Sequence, residues 1–356
     1  MLNKILKIFL TILGIIIFVL AFTVFLQYKK LEYYETFYSV DEQLQTEMEK
    51  LGLPILEKRV KKEGFPSRKV AEIKVRIPLD YPLDGLIDRM KERFANCGIQ
   101  VLKLQEQNLK DVYQIKATLG FRKITSHHLN LFLKKAKVAL LIDDFGYENK
   151  DALLRTFFRS WNIPFTISII PGTPFAEEIA KQAHSAGKQV LVHMPMQPKG
   201  AFNNQYKWII LDGTPKEKIQ EIVREAIKSI PYAEGLNNHM GSLVTTKENI
   251  MKPLLEILKE EGMFFVDSRT SSQSIAYSLA KKLGVKSTFN SVFLDNQKHE
   301  TYIEKQFEKL ILTAMKKGEA LGLAHANLIV ASTLMKLTKR CDNRKINFVF
   351  ASEIAN

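Results

Sequence analysis

The sequence predicts an α/β protein: a (β/α) barrel of seven to eight units, complete or distorted, preceded by a transmembrane helix and a small α+β domain. Three observations predict it. An uncharged apolar run occupies residues 8–26. From residue 137 onward, short apolar runs alternate with helical stretches. Nearly every one of those runs ends in a polar residue suited to catalysis or metal binding. A doubly wound open sheet is the alternative architecture for the same alternation.

The apolar run comes first. At about 1.5 Å per residue, residues 8–26 nearly cross a hydrocarbon core roughly 30 Å thick. Lys4 and Lys7 precede it, and no small-x-small cleavage pattern follows before Tyr28-Lys29-Lys30. An uncleaved signal anchor therefore fits better than a removed signal peptide. The expected domains are an anchor at 1–30, a membrane-proximal domain at 31–136 and the barrel at 137–356. The expected place is the bacterial cytoplasmic membrane, crossed once, with the body on the outer side.

Residues 31–51 read as a helix or stalk. Residues 71–77 then alternate like a strand, 82–96 carry helical periodicity ending at Gly98, and 99–104 and 112–119 alternate again. His127 and His128 precede an apolar run with nothing nearby to complete a site. They are read as surface residues, and this region is assigned no chemistry.

The barrel strands are expected at 138–142, 165–170, 189–192, 235–237, 263–266, 287–294, 320–324 and 347–350. Thr214-Pro-Lys-Glu217 and Thr245-Thr-Lys-Glu248 match the capping box that opens a helix.

Composition narrows the function classes. The formal net charge is +14 over 356 residues, and about half of that excess lies between Tyr28 and Lys137. No aromatic-interleaved motif accompanies the charge, so nucleic acid is not an expected partner. A solvated lysine-rich face, or contact with anionic lipid or another acidic polymer, accounts for it. Cys97 and Cys341 stand alone, without zinc-finger or redox-motif spacing, and are read as two free thiols.

The strand ends carry Asp143-Asp144, His193, Asn238-His239, Asp267-Ser268-Arg269, Asp295-Asn296, His325 and Ser352-Glu353. Barrel active sites are built at the C-terminal ends of the strands, so these runs converge on one rim. Any single aspartate there is as well explained as a helix cap. Capping does not explain three histidines in the same structural position. Neither Ser242 nor Ser352 sits in a nucleophile elbow, and neither cysteine ends a strand. Metal chemistry fits better: catalytic zinc takes three ligands from His, Asp and Glu, and lowers the pKa of water toward roughly 7.

At these residues the chain resembles the divergent branch of the polysaccharide deacetylase superfamily. The carriers run from residue 137 to 356: Leu141-Ile-Asp-Asp-Phe-Gly-Tyr147, Val192-His-Met-Pro-Met196, Leu236-Asn-Asn-His-Met-Gly-Ser242, Phe265-Val-Asp-Ser-Arg-Thr270, Phe293-Leu-Asp-Asn296 and Gly322-Leu-Ala-His325. The resemblance implies that Asp143 is the catalytic base, Asp144 a metal ligand and His325 the general acid. Adjacent strand residues point to opposite faces, so both aspartates reach one site only if the chain leaves the strand there, for which Gly146 offers a turn.

The orthodox deacetylases present two histidines one helical turn apart after the third strand. Here His193 has no such companion, since Gln197 stands four residues later and Pro195 and Pro198 oppose a helix. The second imidazole is expected from His239, with Asn237 and Asn238 to orient its ring. The expected metal set is thus Asp144, His193 and His239, holding a divalent metal, zinc by its donor types. Asn238, Asp267, Arg269, Asp295 and Asn296 are assigned to substrate binding. The expected function is deacetylation of an N- or O-acetylated envelope glycan. Hydrolysis of another amide, ester or glycosidic bond, and a non-catalytic glycan- or partner-binding protein, are the alternatives.

Overall fold

The computed structural model describes residues 2–63 and 68–356. The chain divides into two compact units, residues 1–134 and 135–356.

The first unit opens with one uninterrupted helix, α1 (Leu2–Lys50). The apolar run and the stalk are therefore a single rod. Its side chains from residue 3 to 31 are exposed, and an 18-residue window within it is long and apolar enough to cross a membrane. Beyond that, Tyr33, Phe37, Val40, Leu44 and Met48 form a buried stripe. Their three- and four-residue spacing puts them on one helix face. Burying each contributes roughly 1.5–3 kcal/mol.

That stripe packs on a five-stranded sheet. The unit's remaining elements are β1 (Ile55–Glu63), β2 (Arg68–Arg76), α2 (Leu86–Asn96), β3 (Gln100–Asn108), β4 (Val112–Phe121) and β5 (Ile124–Lys134). The spatial order is β1-β2-β5-β4-β3, with β2 and β5 parallel and the other pairs antiparallel. Two strands were not expected, β1 and β5, and β5 corrects the reading of His127. It is fully buried, stacked on Phe37 at 5.0 Å between ring centroids, with Nε2 3.2 Å from Asp41 Oδ1.

The second unit runs β6 (Ala136–Phe145), α3 (Asp151–Arg155), β7 (Thr166–Ile169), α4 (Ala176–Ser185), β8 (Gln189–Met196), α5 (Lys216–Ser229), β9 (Ala233–Met240), α6 (Glu248–Glu260), β10 (Phe264–Asp267), α7 (Ala276–Leu283), β11 (Ser287–Phe289), β12 (Val292–Phe293), α8 (Glu300–Lys317), β13 (Glu319–His325), α9 (Leu328–Arg340) and β14 (Ile346–Val349). All strand pairs are parallel, in the order β11-β10-β9-β8-β7-β6-β13-β12, with β14 beside the start of β6. Crossover helices cover such a sheet and bury one apolar face, as α6 does with Ile250, Met251, Leu254, Leu255, Ile257 and Leu258.

The stretch expected as one strand at 287–294 is split into β11 and β12. The Asn290 N–H donates to Asp267 O on β10 (2.9 Å), and the next N–H, that of Ser291, donates to Leu321 O on β13 (2.9 Å). The strand changes neighbours within one residue, so the two edges of the curled sheet are joined through it. This is the distortion of the barrel.

The two capping boxes are not formed. Thr214 Oγ1 accepts from Leu211 N and Thr245 Oγ1 donates to Gly241 O, both upstream, while α5 and α6 begin without a side-chain cap. Ser352-Glu353 also lies elsewhere than expected. Ser352 meets Gln189 and the Ala351 N–H donates to Thr166, residues that begin β8 and β7. Because β14 enters beside the first residues of β6, its end stays at the opposite end of the barrel from Asp143.

Candidate metal centre and its acid

The site is built where β6, β8 and β9 end. At β6 the pairing with β7 slips between Ile142 and Phe145, and Asp144 takes a left-handed φ of 67°. A non-glycine residue there costs about 1–2 kcal/mol, with Asp among the least penalised. The slip breaks strand alternation and brings both carboxylates to one site. The turn that the sequence required begins at Asp144 itself. Gly146 then passes so close to Thr173 that an added Cβ would lie 2.0 Å from its Oγ1.

Asp144, His193 and His239 come together. His193 Nε2 is 3.2 Å from Asp144 Oδ1, His239 Nδ1 is 3.0 Å from the same oxygen, and the two nitrogens are 3.1 Å apart. Asp144 Oδ1 is buried without a hydrogen bond of acceptable geometry. Three donor atoms aimed at a common point fit a cation between them: ligands about 2.0–2.2 Å from tetrahedral zinc lie roughly 3.3–3.5 Å from one another.

The electrostatics of Asp144 and His239 match that reading, whereas His193 is pushed the other way. Burial alone would raise the Asp144 carboxyl, but the facing imidazoles outweigh it and hold the group well below the usual carboxylate range. For His193, burial is overcome by Asp143 and Asp144, which push it up. Burial and the neighbouring His193 push His239 down, toward the neutral ring a metal requires.

The orienting groups differ from those expected. Asn237 serves His193: its Oδ1 lies 2.9 Å from His193 Nδ1, while its Nδ2 donates to Asp143 and to Ser268 Oγ. His239 is held through Nε2 by the hydroxyl of Tyr206 at 2.9 Å. Tyr206 carried no sequence signal, since it lies in an irregular stretch without periodicity. Ser168 on β7, also unforeseen, donates to Asp143 Oδ1 at 2.6 Å. Asp143 is buried, its Oδ2 3.5 Å from His193 Nε2, and burial raises its carboxyl.

His325 ends β13, with Nε2 4.0 Å from Asp144 Oδ2. Asp295, expected to bind substrate, is buried and accepts from both the backbone N–H and the Nδ1 of His325. Burial would lower the His325 pKa, but Asp295 and the two site aspartates push it up to about 9.

Other expected binding residues have loop-holding contacts. Asn238, buried, accepts from Ser268 N and donates to Met240 O. Asp267, also buried, accepts from Arg269 N, Ser274 Oγ and Tyr277 N. Arg269 makes no side-chain ion pair with it. Its exposed guanidinium lies 3.6 Å from the ring centroid of Phe289. Asn296 is exposed on the loop after Asp295.

A parallel barrel with this rim is the polysaccharide deacetylase class of fold. The sequence profile of the divergent polysaccharide deacetylase family matches residues 140–355, and the chain belongs to that family. It is 34% identical over 202 residues to an uncharacterized protein of Haemophilus influenzae, an alignment covering 56% of this chain and 70% of the relative. It is 31% identical over 222 residues to the uncharacterized protein YibQ of Escherichia coli, covering 62% and 67% respectively. Its fold is similar to the crystal structure of an uncharacterized Agrobacterium tumefaciens protein, with a TM-score of 0.58 and 21% identity over 62% of this chain and 89% of that one.

Proposed function

We propose that the chain is a metal-dependent hydrolase that removes acetyl groups from an N- or O-acetylated glycan of the cell envelope. α1 anchors it in the bacterial cytoplasmic membrane with the body outside. The observation that carries the reading is the convergence of Asp144, His193 and His239 to within 3.2 Å, with His325 on the same rim.

Asp144, His193 and His239 hold the metal, zinc by donor set, which supplies Lewis-acid activation of water at neutral pH. Asp143 Oδ2 takes the proton of the attacking water, its basicity raised by burial. His325 carries a proton on Nε2 at neutral pH and gives it to the leaving amine or hydroxyl. Asn237 and Tyr206 fix the two imidazoles.

The test is metal content and acetate release by the full chain purified in detergent, assayed on acetylated chitooligosaccharides and peptidoglycan. A chain that neither contains nor takes up a divalent metal refutes the mechanism. The exposed Arg269 guanidinium favours a second reading, in which the substrate carries a carboxylate or phosphate. Turnover of acidic amides or esters without acetate release from glycans would select it.

A further inference from the structure

We infer that the first unit holds an anionic phospholipid of its own membrane in a pocket at the end of the apolar span. The inference uses the membrane reading of α1 and nothing of the hydrolase site. A cavity of about 400 Å³ opens beside Leu26, where the uncharged run ends, and is walled by Phe121 and Ile124 from the turn between β4 and β5. Lys29, Lys30, Arg68 and Arg122 also line it, against a single acid, Glu32. Glu32 is taken up by Lys29 at 2.8 Å and Arg122 at 2.6 Å, which leaves the pocket with a surplus of positive charge.

Position and chemistry together select the occupant. A bilayer around residues 8–26 places its headgroup layer at Leu26 to Tyr33, the level of the cavity. Cations there attract an anionic headgroup, and the apolar wall accepts the upper part of an acyl chain. The turn that supplies Arg122 carries an independent mark. Arg122 and Lys123 both adopt left-handed φ, 47° and 64°, in a two-residue hairpin connection that ordinarily takes Asn-Gly. Two long cationic side chains kept at strained positions, one of them in the pocket wall, indicate a turn selected for its charge rather than its backbone preference.

The full chain in detergent is titrated with phosphatidylglycerol and phosphatidylcholine, and bound lipid is counted by native mass spectrometry. The expected result is one retained phosphatidylglycerol per chain, with phosphatidylcholine at least tenfold weaker. Arg68→Gln/Arg122→Gln should weaken phosphatidylglycerol by about tenfold or more, at roughly a kilocalorie per cation near the membrane surface. Lys91→Gln/Lys116→Gln, an equal charge change at exposed positions of the same unit, should leave it intact. Equal binding of the two lipids, equal loss in both double variants, or glycerol phosphate binding as tightly as the whole lipid would each overturn the inference. Flotation of every variant with neutral vesicles reads the anchor separately from the pocket.

Discussion

Asp295 grips His325 twice, accepting the backbone N–H at Oδ2 (2.9 Å) and the ring Nδ1 at Oδ1 (3.0 Å). The first bond fixes the end of β13 and the second fixes the ring, so a buried carboxylate sets both the place and the charge of the proposed acid. A folded-state pKa raised to about 9 means that the proton is held through neutral pH and lost as pH rises through that value. Asp295→Asn removes the charge and should move the alkaline limb of kcat/KM to lower pH. His325→Ala should lower the rate by about 10²–10⁴, the usual contribution of a general acid. Acetate release measured from pH 6 to 10 checks both, and an unmoved limb in Asp295→Asn would remove Asp295 from this role.

Alanine at Asp144, His193 or His239 should abolish tight zinc binding and leave the far-ultraviolet circular dichroism unchanged, because rim residues contribute little core packing. Asn237→Ala and Tyr206→Phe remove the groups that orient the rings, Asn237 holding Asp143 and Ser268 as well, and should weaken zinc by roughly 10–100-fold. Competition with a chromophoric chelator gives the affinities. Tyr206→Phe binding zinc like the parent would show that the loop carrying it does not support His239.

Much of this was legible from the residues, and the misses share a cause. All eight strand candidates of the second unit correspond to strands because their apolar runs are local and short. The split at Asn290 and Ser291 was not legible, since it depends on which neighbour each amide meets once the sheet has curled. The two aspartates demanded a break in strand alternation, which the left-handed Asp144 provides. Asn237 and Tyr206 act on rings from other segments, and no spacing in the chain records that. β1 is not legible because its lysines and glutamates leave almost no apolar alternation, as suits an edge strand. His127 is covered by Phe37 from the α1 stripe, a burial that no local pattern around residues 127–128 records.

His127 gives a pH test of the first unit. Burial lowers its pKa below 6.5, although Asp41 works in the opposite direction. The unfolded chain therefore binds the extra proton first on acidification, and the unit loses stability as pH falls from about 6.5 toward the folded value. Thermal unfolding at pH 7.5 and pH 5.5 should show this loss, and His127→Phe, which can keep the stack on Phe37, should reduce it. A pH dependence unchanged by the substitution would place its origin elsewhere.

Core packing of the barrel is tested at Trp161, which is 2% exposed, stacks on Phe165 at 4.6 Å and donates from Nε1 to Thr338 Oγ1. Trp161→Ala should cost about 3–5 kcal/mol. Trp161→Phe should cost less while still leaving Thr338 without its donor. Denaturant midpoints of the second unit's transition measure both.

The uninterrupted course of α1 has a mechanical consequence. A span joined to its domain by a loop isolates the domain from the bilayer, whereas this span shares one hydrogen-bonded rod with the stripe from Tyr33 to Met48 that seats the small sheet. A helix whose apolar length exceeds the local bilayer thickness relieves the mismatch by tilting. With the helix unbroken between residues 26 and 33, a tilt imposed on a membrane-embedded span would be passed on to the sheet. In the membrane placement proposed for α1, bilayer thickness would thereby become a lever on the attitude of the first unit.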